Sequence, residues 1–195
     1  MSKSDSATPG KQRKKTALWV VTIFVITIIV SSVISLISEE VMAGSGMLIA
    51  FGILFAIVLL GILFDIIGVA VTSADETPFH AMAARKVPGA REAIRLLRRA
   101  DKVSSICNDV VGDICGVVSG AAAATIAVQL LQVFSFTWER VASLMMSAMV
   151  AGVTVGGKAI GKTFAVNSST SIVHFVGKVI WWLGNLPSLF RRKKK

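Results

Sequence analysis

The sequence has few charged residues, few aromatic side chains and no tyrosine. Charged residues make up 16% of the chain, against roughly 25% in an average soluble domain. Hydrophobic residues make up 54%, and the mean hydropathy is +0.73. This composition indicates that lipid is the solvent for much of the chain. Because aromatic residues are only 7% of the chain, no platform for stacking nucleic-acid bases is visible.

Cysteine and histidine are also scarce, which excludes several kinds of site. Cys107 and Cys115 are the two cysteines, and on one helix they would lie about 12 Å apart along its axis, too far for a disulfide bond. We therefore expect two packing cysteines. His80 and His174 are isolated, so no zinc site is predicted. No nucleophile–base pair is visible either, and we expect no enzyme activity.

Four apolar runs make up much of the sequence, and each has the roughly 20 residues that a membrane-spanning helix needs. The first follows the basic run KQRKK and has no A-x-A cleavage site after it, so we expect an uncleaved anchor rather than a signal peptide. The sequence thus predicts an all-α polytopic membrane protein with about four transmembrane helices. The four runs lie at 19–37, 47–72, 103–136 and 141–166.

Lysine and arginine alternate between the segments that connect these runs. They are abundant before the first run, in the loop at 73–102 and in the C-terminal RRKKK, but absent or nearly absent in the other two loops. The positive-inside rule then places both termini and the 73–102 loop in the cytoplasm, which agrees with four crossings. The net charge of +10 is therefore explained by basic residues that set the topology and bind anionic lipid headgroups. We expect no nucleic-acid partner.

Two further segments have helical patterns but are not predicted to cross the membrane. In the loop at 73–102, Ser73 and Asp75 are candidate N-caps, and VPGA supplies a turn between two helical stretches, which predicts a helical hairpin. Near the C-terminus, apolar residues recur at helical spacing around Trp181 and Trp182, which favour a bilayer interface. Since Lys178 interrupts this pattern, we expect an amphipathic juxtamembrane helix rather than a fifth span.

The stretch GGKAIGKT at 156–163 matches the phosphate-binding loop pattern G-x-x-x-x-G-K-[ST]. A true P-loop connects a buried strand to a helix in an α/β domain, and no strand–helix alternation accompanies it here, so we expect no nucleotide. Small residues every four positions instead predict a close contact between the third and fourth runs. The two rows are Ala148, Gly152 and Gly156 in the fourth run, and Asn108, Gly112, Gly116, Gly120 and Ala124 in the third.

Charged side chains inside the apolar runs are costly and are therefore functional or paired. Asp109 and Asp113 are four residues apart and are expected on one side of a helix, facing into the bundle. Two interpretations stay open. These carboxylates could form a site of hard oxygen ligands for Mg²⁺ or Ca²⁺. Alternatively, Lys158 could form a structural ion pair with Asp113 or with Asp65.

The order of the segments resembles the transmembrane domain of the CorC/cyclin-M (CNNM) magnesium transporter family over residues 47–185. The family's first helix carries a Phe-Ser-Gly-Ser-Glu-like motif before Thr-Ser and a basic hairpin, where this chain has FDIIG at 64–68 and then TS. The family's Gly-Asn motif corresponds to Asn108-Asp109 or to Gly112-Asp113. Its Gly-Glu-x-x-Pro-Lys-Thr motif corresponds to GKAIGKT at 157–163.

The resemblance implies a cation site formed by Asp65, Asn108, Asp109 and Asp113, with Mg²⁺ as the bound or transported ion. Lys158 stands where the family has glutamate and would be the counter-charge of this site. The implied protein is a divalent-cation transporter of the plasma membrane without a cofactor. The alternative is a non-transporting membrane partner or regulator in which Lys158 replaces the ion. A membrane-permeabilising protein is a third class.

The predicted organisation follows from these assignments. A basic cytoplasmic tail at 1–16 precedes an additional N-terminal transmembrane helix at 17–38. The CNNM-like domain at 47–185 includes the cytoplasmic hairpin at 73–102, and a second basic cytoplasmic tail follows at 186–195. The CBS domain pairs that usually follow in the family have no counterpart in the sequence, and we expect a form without them. The expected partners are the lipid bilayer and either a second copy or another membrane protein.

Overall fold

The computed structural model describes residues 9–43, 46–134 and 139–192, so the two ends of the predicted basic tails and the end of the third apolar run lie outside the described residues. The described chain consists of helices and short connections, without a strand. A π-helical segment, Ile106–Gly112, joins the fifth and sixth α-helices. The α-helices are α1 (Pro9–Ala43), α2 (Met47–Ser73), α3 (Thr77–Ala84), α4 (Ala90–Leu97), α5 (Ala100–Ser105), α6 (Asp113–Phe134), α7 (Glu139–Asn167) and α8 (Ser169–Arg192).

Four of the described segments are long and apolar enough to cross a membrane, which confirms the predicted fold class. They coincide with the four apolar runs, and the third is built from α5, the π-helical segment and most of α6. The amphipathic α8 is not among them. The protein is therefore an all-α membrane protein, and its candidate spans are Ala17–Ser38, Met47–Ser73, Ala100–Gln129 and Ser143–Asn167.

Helix α2 lies at the centre of the bundle, packed against α6 and α7. Near its N-terminal end, Ala50 and Leu54 are buried against Ala123 and Ile126 of α6. Near its C-terminal end, Val71 belongs to a second apolar cluster that also includes residues of α3, α4, α7 and α8. A charged residue in the middle of α2 therefore lies between two apolar clusters, where water has little access.

Helix α1 lies at the edge of this bundle, and none of the most apolar part of its span is buried. Ile23 and Ile34 pack against Val110, Ile114 and Val118 of the third span. Its remaining apolar side chains are largely exposed, as expected for a helix whose outer face contacts lipid.

The predicted hairpin is formed by α3 and α4, and it packs against α8. The Asp75 carboxylate accepts the backbone N–H of Thr77 at 3.1 Å just before α3, which lowers the pKa of Asp75 below its ordinary 3.8. Gly89 ends the turn in a left-handed conformation, with φ of 85°. The arginines of α4 are exposed while Leu97 is buried, so this helix is amphipathic.

Helices α6 and α7 pack against each other, but the rows of small residues do not form that contact. A Cβ added at Gly116, Gly120, Gly152 or Gly156 would meet no heavy atom within 4 Å. A four-residue spacing drifts by about 40° per step on a helix of 3.6 residues per turn, so a row of this kind turns away from its neighbour. Glycines of α7 lie close to α2 instead, since a Cβ on Gly157 would lie 2.5 Å from Ile62 Cδ1.

Candidate functional site

Asp65 lies in the middle of α2 and has a buried carboxylate. The residue as a whole is only 5% exposed. The other buried polar residues of the described chain, Ser119 and Thr154, each donate a hydrogen bond to a carbonyl of their own helix. An ionised carboxylate has no proton to donate and cannot be satisfied in this way. Asp65 therefore requires a donor or a cation from another helix.

Lys158 of α7 supplies that positive charge. Its Nζ lies 4.0 Å from Oδ1 of Asp65 and 3.8 Å from Oδ1 of Asp113, and it donates a hydrogen bond to the Gly112 carbonyl at 3.3 Å. The lysine side chain is 20% exposed, so the ammonium group is held among protein oxygens rather than in bulk solvent. Both ion pairs considered from the sequence thus occur, and they share one ammonium group.

The two carboxylates of this cluster have different surroundings. The side chain of Asp65 is 7% exposed, whereas that of Asp113 is 72% exposed. An ion pair at an exposed position is weak, while a buried charge depends strongly on its partner. With one ammonium and two carboxylates, the cluster of Asp65, Asp113 and Lys158 keeps a formal charge of −1.

The π-helical segment Ile106–Gly112 forms the third side of the cluster. Short π-helical segments that interrupt α-helices are frequent at functional sites, and the wider turn changes the direction of the side chains that follow. Here the segment carries Asn108 and ends at the Gly112 carbonyl that accepts Lys158. A Cβ added at Gly112 would lie 3.3 Å from Asp65 Oδ1, so a larger residue would crowd the carboxylate.

Two oxygen atoms at this side of the cluster are buried without a hydrogen-bond partner. They are Oδ2 of Asp65 and Oδ1 of Asn108. The Asn108 amide donates to Ser104 Oγ at 3.2 Å, and its oxygen points at Gly68, one turn along α2 from Asp65. Unsatisfied buried acceptors are rare because each costs about 1–3 kcal/mol. A cation or a water molecule in contact with either oxygen would satisfy it.

The remaining sequence-predicted ligand, Asp109, points away from the cluster. Its Oδ2 accepts a hydrogen bond of 2.7 Å from Ser105, and the residue is exposed. The structure therefore brings together Asp65, Asn108, Asp113 and Lys158 and leaves Asp109 outside. Among the described residues, no three His, Cys, Asp or Glu side chains form a metal-holding group, so any cation here would depend on amide and carbonyl oxygens as well.

The cysteines take no part in this cluster by hydrogen bonding. Cys107 and Cys115 are free and buried, as expected for packing residues. A Cβ added at Gly61 would lie 2.8 Å from Cys115 Cβ, so the second cysteine fills the gap opposite a glycine of α2. Sequence reasoning missed the roles of Gly61, Gly68 and Ser104. The spacing of Gly61, Asp65 and Gly68 could have indicated these roles, because residues three and four apart lie on one side of a helix.

The geometry defines a class: a helical membrane protein in which a buried carboxylate, Asp65, is paired with Lys158 between three helical segments, with the exposed carboxylate of Asp113 beside them. No protein-family model matches the chain, and a search of curated proteins finds no match.

Proposed function

We propose that the protein binds and moves a divalent cation, in the manner of the CorC/cyclin-M membrane domain that its sequence resembles. The observation that carries the proposal is the pair of unsatisfied buried oxygens, Asp65 Oδ2 and Asn108 Oδ1, beside a cluster that keeps a formal charge of −1. Carboxylate, amide and carbonyl oxygens are the ligands that Mg²⁺ and Ca²⁺ prefer. In this proposal Lys158 is an internal counter-ion that the incoming cation displaces.

The first test is ligand-dependent stability of the purified full chain in detergent. A cation present at about 100 times its dissociation constant stabilises the protein by roughly 2.7 kcal/mol. We expect Mg²⁺ to raise the unfolding temperature of the wild type, and the increase to be lost in Asp65→Asn. Asp101→Asn removes an exposed carboxylate elsewhere in the third span and should retain the increase. Equal responses of the two variants would contradict the proposed site.

Transport needs a separate measurement, because binding alone does not establish movement. Full-length protein in liposomes that enclose a magnesium-sensitive dye should show a flux that Asp65→Asn abolishes and Asp101→Asn preserves. A flux that is equal in empty liposomes and in those with protein would exclude transport. A loss of membrane potential without ion selectivity would favour a permeabilising protein.

The position of Lys158 favours a second candidate, a non-transporting membrane partner or regulator. Its ammonium group already lies within 4.0 Å of both carboxylates, where it would repel a divalent ion. In this case the wild type gives no response to Mg²⁺ or Ca²⁺, and Lys158→Glu restores binding. A wild-type response to Mg²⁺ would exclude this candidate, and so would a Lys158→Glu variant that folds but remains unresponsive.

We propose that the protein lies in the plasma membrane. In the proposed orientation, both termini and the α3–α4 hairpin are in the cytoplasm. Exposed positions suited to the test are His80 in α3 and Gly46 between α1 and α2. After substitution to cysteine, a membrane-impermeant thiol reagent applied to intact cells should label position 46 and not position 80. The native cysteines are buried and serve as the background control.

A further inference from the structure

A cavity lies between the turn of the α3–α4 hairpin and the helix α8. Its volume is about 320 Å³, and its walls include Lys86, Arg91 and Glu92 of the hairpin and Trp181 of α8. Ligand pockets in proteins typically occupy about 300–1,000 Å³, so this cavity suits a group the size of a phosphate headgroup. It is separate from the cluster around Lys158 in both sequence and lining.

The walls of the cavity are held by close contacts between backbones. A Cβ on Gly177 of α8 would lie 2.5 Å from the Gly89 carbonyl oxygen, so the hairpin turn rests directly on the surface of α8. A ring nitrogen of His174 lies 3.3 Å from the Pro88 carbonyl oxygen in the same contact. Lys86 adopts a φ of 59°, which few residues other than glycine take, so the packed turn fixes the start of its side chain.

The charges at the cavity favour an anion. Within the described part of the chain, neither Lys86 nor Arg91 has a carboxylate within ion-pair distance. The acidic wall residue Glu92 is paired with Arg95 at 4.0 Å and is 18% exposed. Two unpaired cations therefore face the cavity beside one carboxylate that already has a partner. Arginine binds phosphate through parallel hydrogen bonds, and lysine adds a point charge.

The helix α8, which supplies one wall of the cavity, also carries exposed apolar side chains. Phe175 is 67% exposed and Trp182 is 53% exposed on the apolar side of α8. Trp181 lies one turn beyond Gly177, on the side of α8 that faces the hairpin, and lines the cavity. An amphipathic helix of this kind lies in the membrane interface, where lipid phosphate groups are concentrated.

We propose that this cavity binds the phosphate of an anionic phospholipid headgroup, with Lys86 and Arg91 as its donors. The bound lipid fixes the hairpin and α8 to the membrane surface. The site does not depend on the cation cluster, and failure of either proposal leaves the other unaffected.

The test uses full-length protein in a neutral detergent, titrated with short-chain phosphatidylglycerol and followed by native mass spectrometry. The variant Lys86→Gln/Arg91→Gln removes both donors. The control Arg85→Gln/Arg99→Gln removes two exposed charges near the same hairpin that do not line the cavity. We expect the cavity variant to bind about tenfold more weakly than the wild type, and the control to stay within about twofold.

Equal weakening in the two variants would show a diffuse charge effect and would overturn the proposal. So would equal binding of phosphatidylcholine and phosphatidylglycerol by the wild type. Inorganic phosphate that competes fully at the same concentration as the lipid would overturn the lipid assignment. If the double variant unfolds without ligand, Arg91→Gln alone is compared with Arg85→Gln, and equal affinities would again overturn the proposal.

Discussion

The side chain of Asn108 occupies the space where a β-carbon of Gly68 would stand. Its Oδ1 and Cγ both lie closer to that position than ordinary van der Waals contact allows. The absence of a side chain at position 68 therefore lets the π-helical segment approach α2 at the level of Asp65. The cluster depends on this glycine as much as on its charged residues.

Gly68→Ala should consequently displace Asn108 and loosen the cluster. Overpacking of a close contact typically costs about 1–3 kcal/mol, which we expect to lose from the stability of the detergent-purified protein. Gly52→Ala is the matched control in the same helix, because a Cβ added there meets nothing within 4 Å. The control should be neutral or slightly stabilising, since alanine favours helix by up to about 1 kcal/mol over glycine. Equal stability of the two variants would contradict this account.

Removal of the ammonium group of Lys158 should leave Asp65 as a buried charge without a partner. We expect Lys158→Met to cost about 3 kcal/mol of unfolding free energy, and Lys158→Met/Asp65→Asn to recover much of that loss. Lys162→Met changes an exposed lysine one turn further along α7 and should stay within about 0.5 kcal/mol of the wild type. Chemical unfolding in mixed micelles measures all three. A double variant no more stable than the single one would refute the pairing.

Acid should weaken the start of the α3–α4 hairpin through Asp75. Because the hydrogen bond from the Thr77 backbone lowers the pKa of this carboxyl in the folded protein, its stabilising contribution is present above the ordinary pKa of 3.8. That contribution is lost as the pH falls through the lowered folded value. Asp75→Ala should lower the protection factor of the Thr77 amide against hydrogen exchange near neutral pH, and should remove the further fall of that protection factor in acid. An unchanged pH profile in the variant would contradict the assignment.

The contact between Gly177 and the hairpin turn should tolerate no side chain. Gly177→Ala would push α8 from the turn, since the added carbon would lie 2.5 Å from the Gly89 carbonyl oxygen. We expect a loss of about 1–3 kcal/mol and faster proteolysis in the hairpin. Gly184→Ala, further along α8, meets nothing within 4 Å and provides the control. Equal proteolysis rates in the two variants would show that the contact does not hold the hairpin.

Much of the fold could be predicted because membrane helices leave a strong signal in sequence. Each apolar run has the length of a bilayer crossing, and Pro88 and Gly89 mark the hairpin turn. The partners of Lys158 could be limited in advance because the apolar runs contain few carboxylates. The sequence could not predict which small residues lie in a helix contact, or where Asn108 lies. Both depend on how each helix is rotated against its neighbour.

The π-helical segment Ile106–Gly112 divides the third span into two helical parts. Such a segment is a phase dislocation: it holds one more residue per turn, so the helix on one side is rotated relative to the helix on the other. Residues spaced as on one face of a regular α-helix therefore do not stay on one face of the third span across this segment. Asn108-Asp109 and Gly112-Asp113 lie at and just beyond that dislocation, where counting residues no longer tells which pair faces α2.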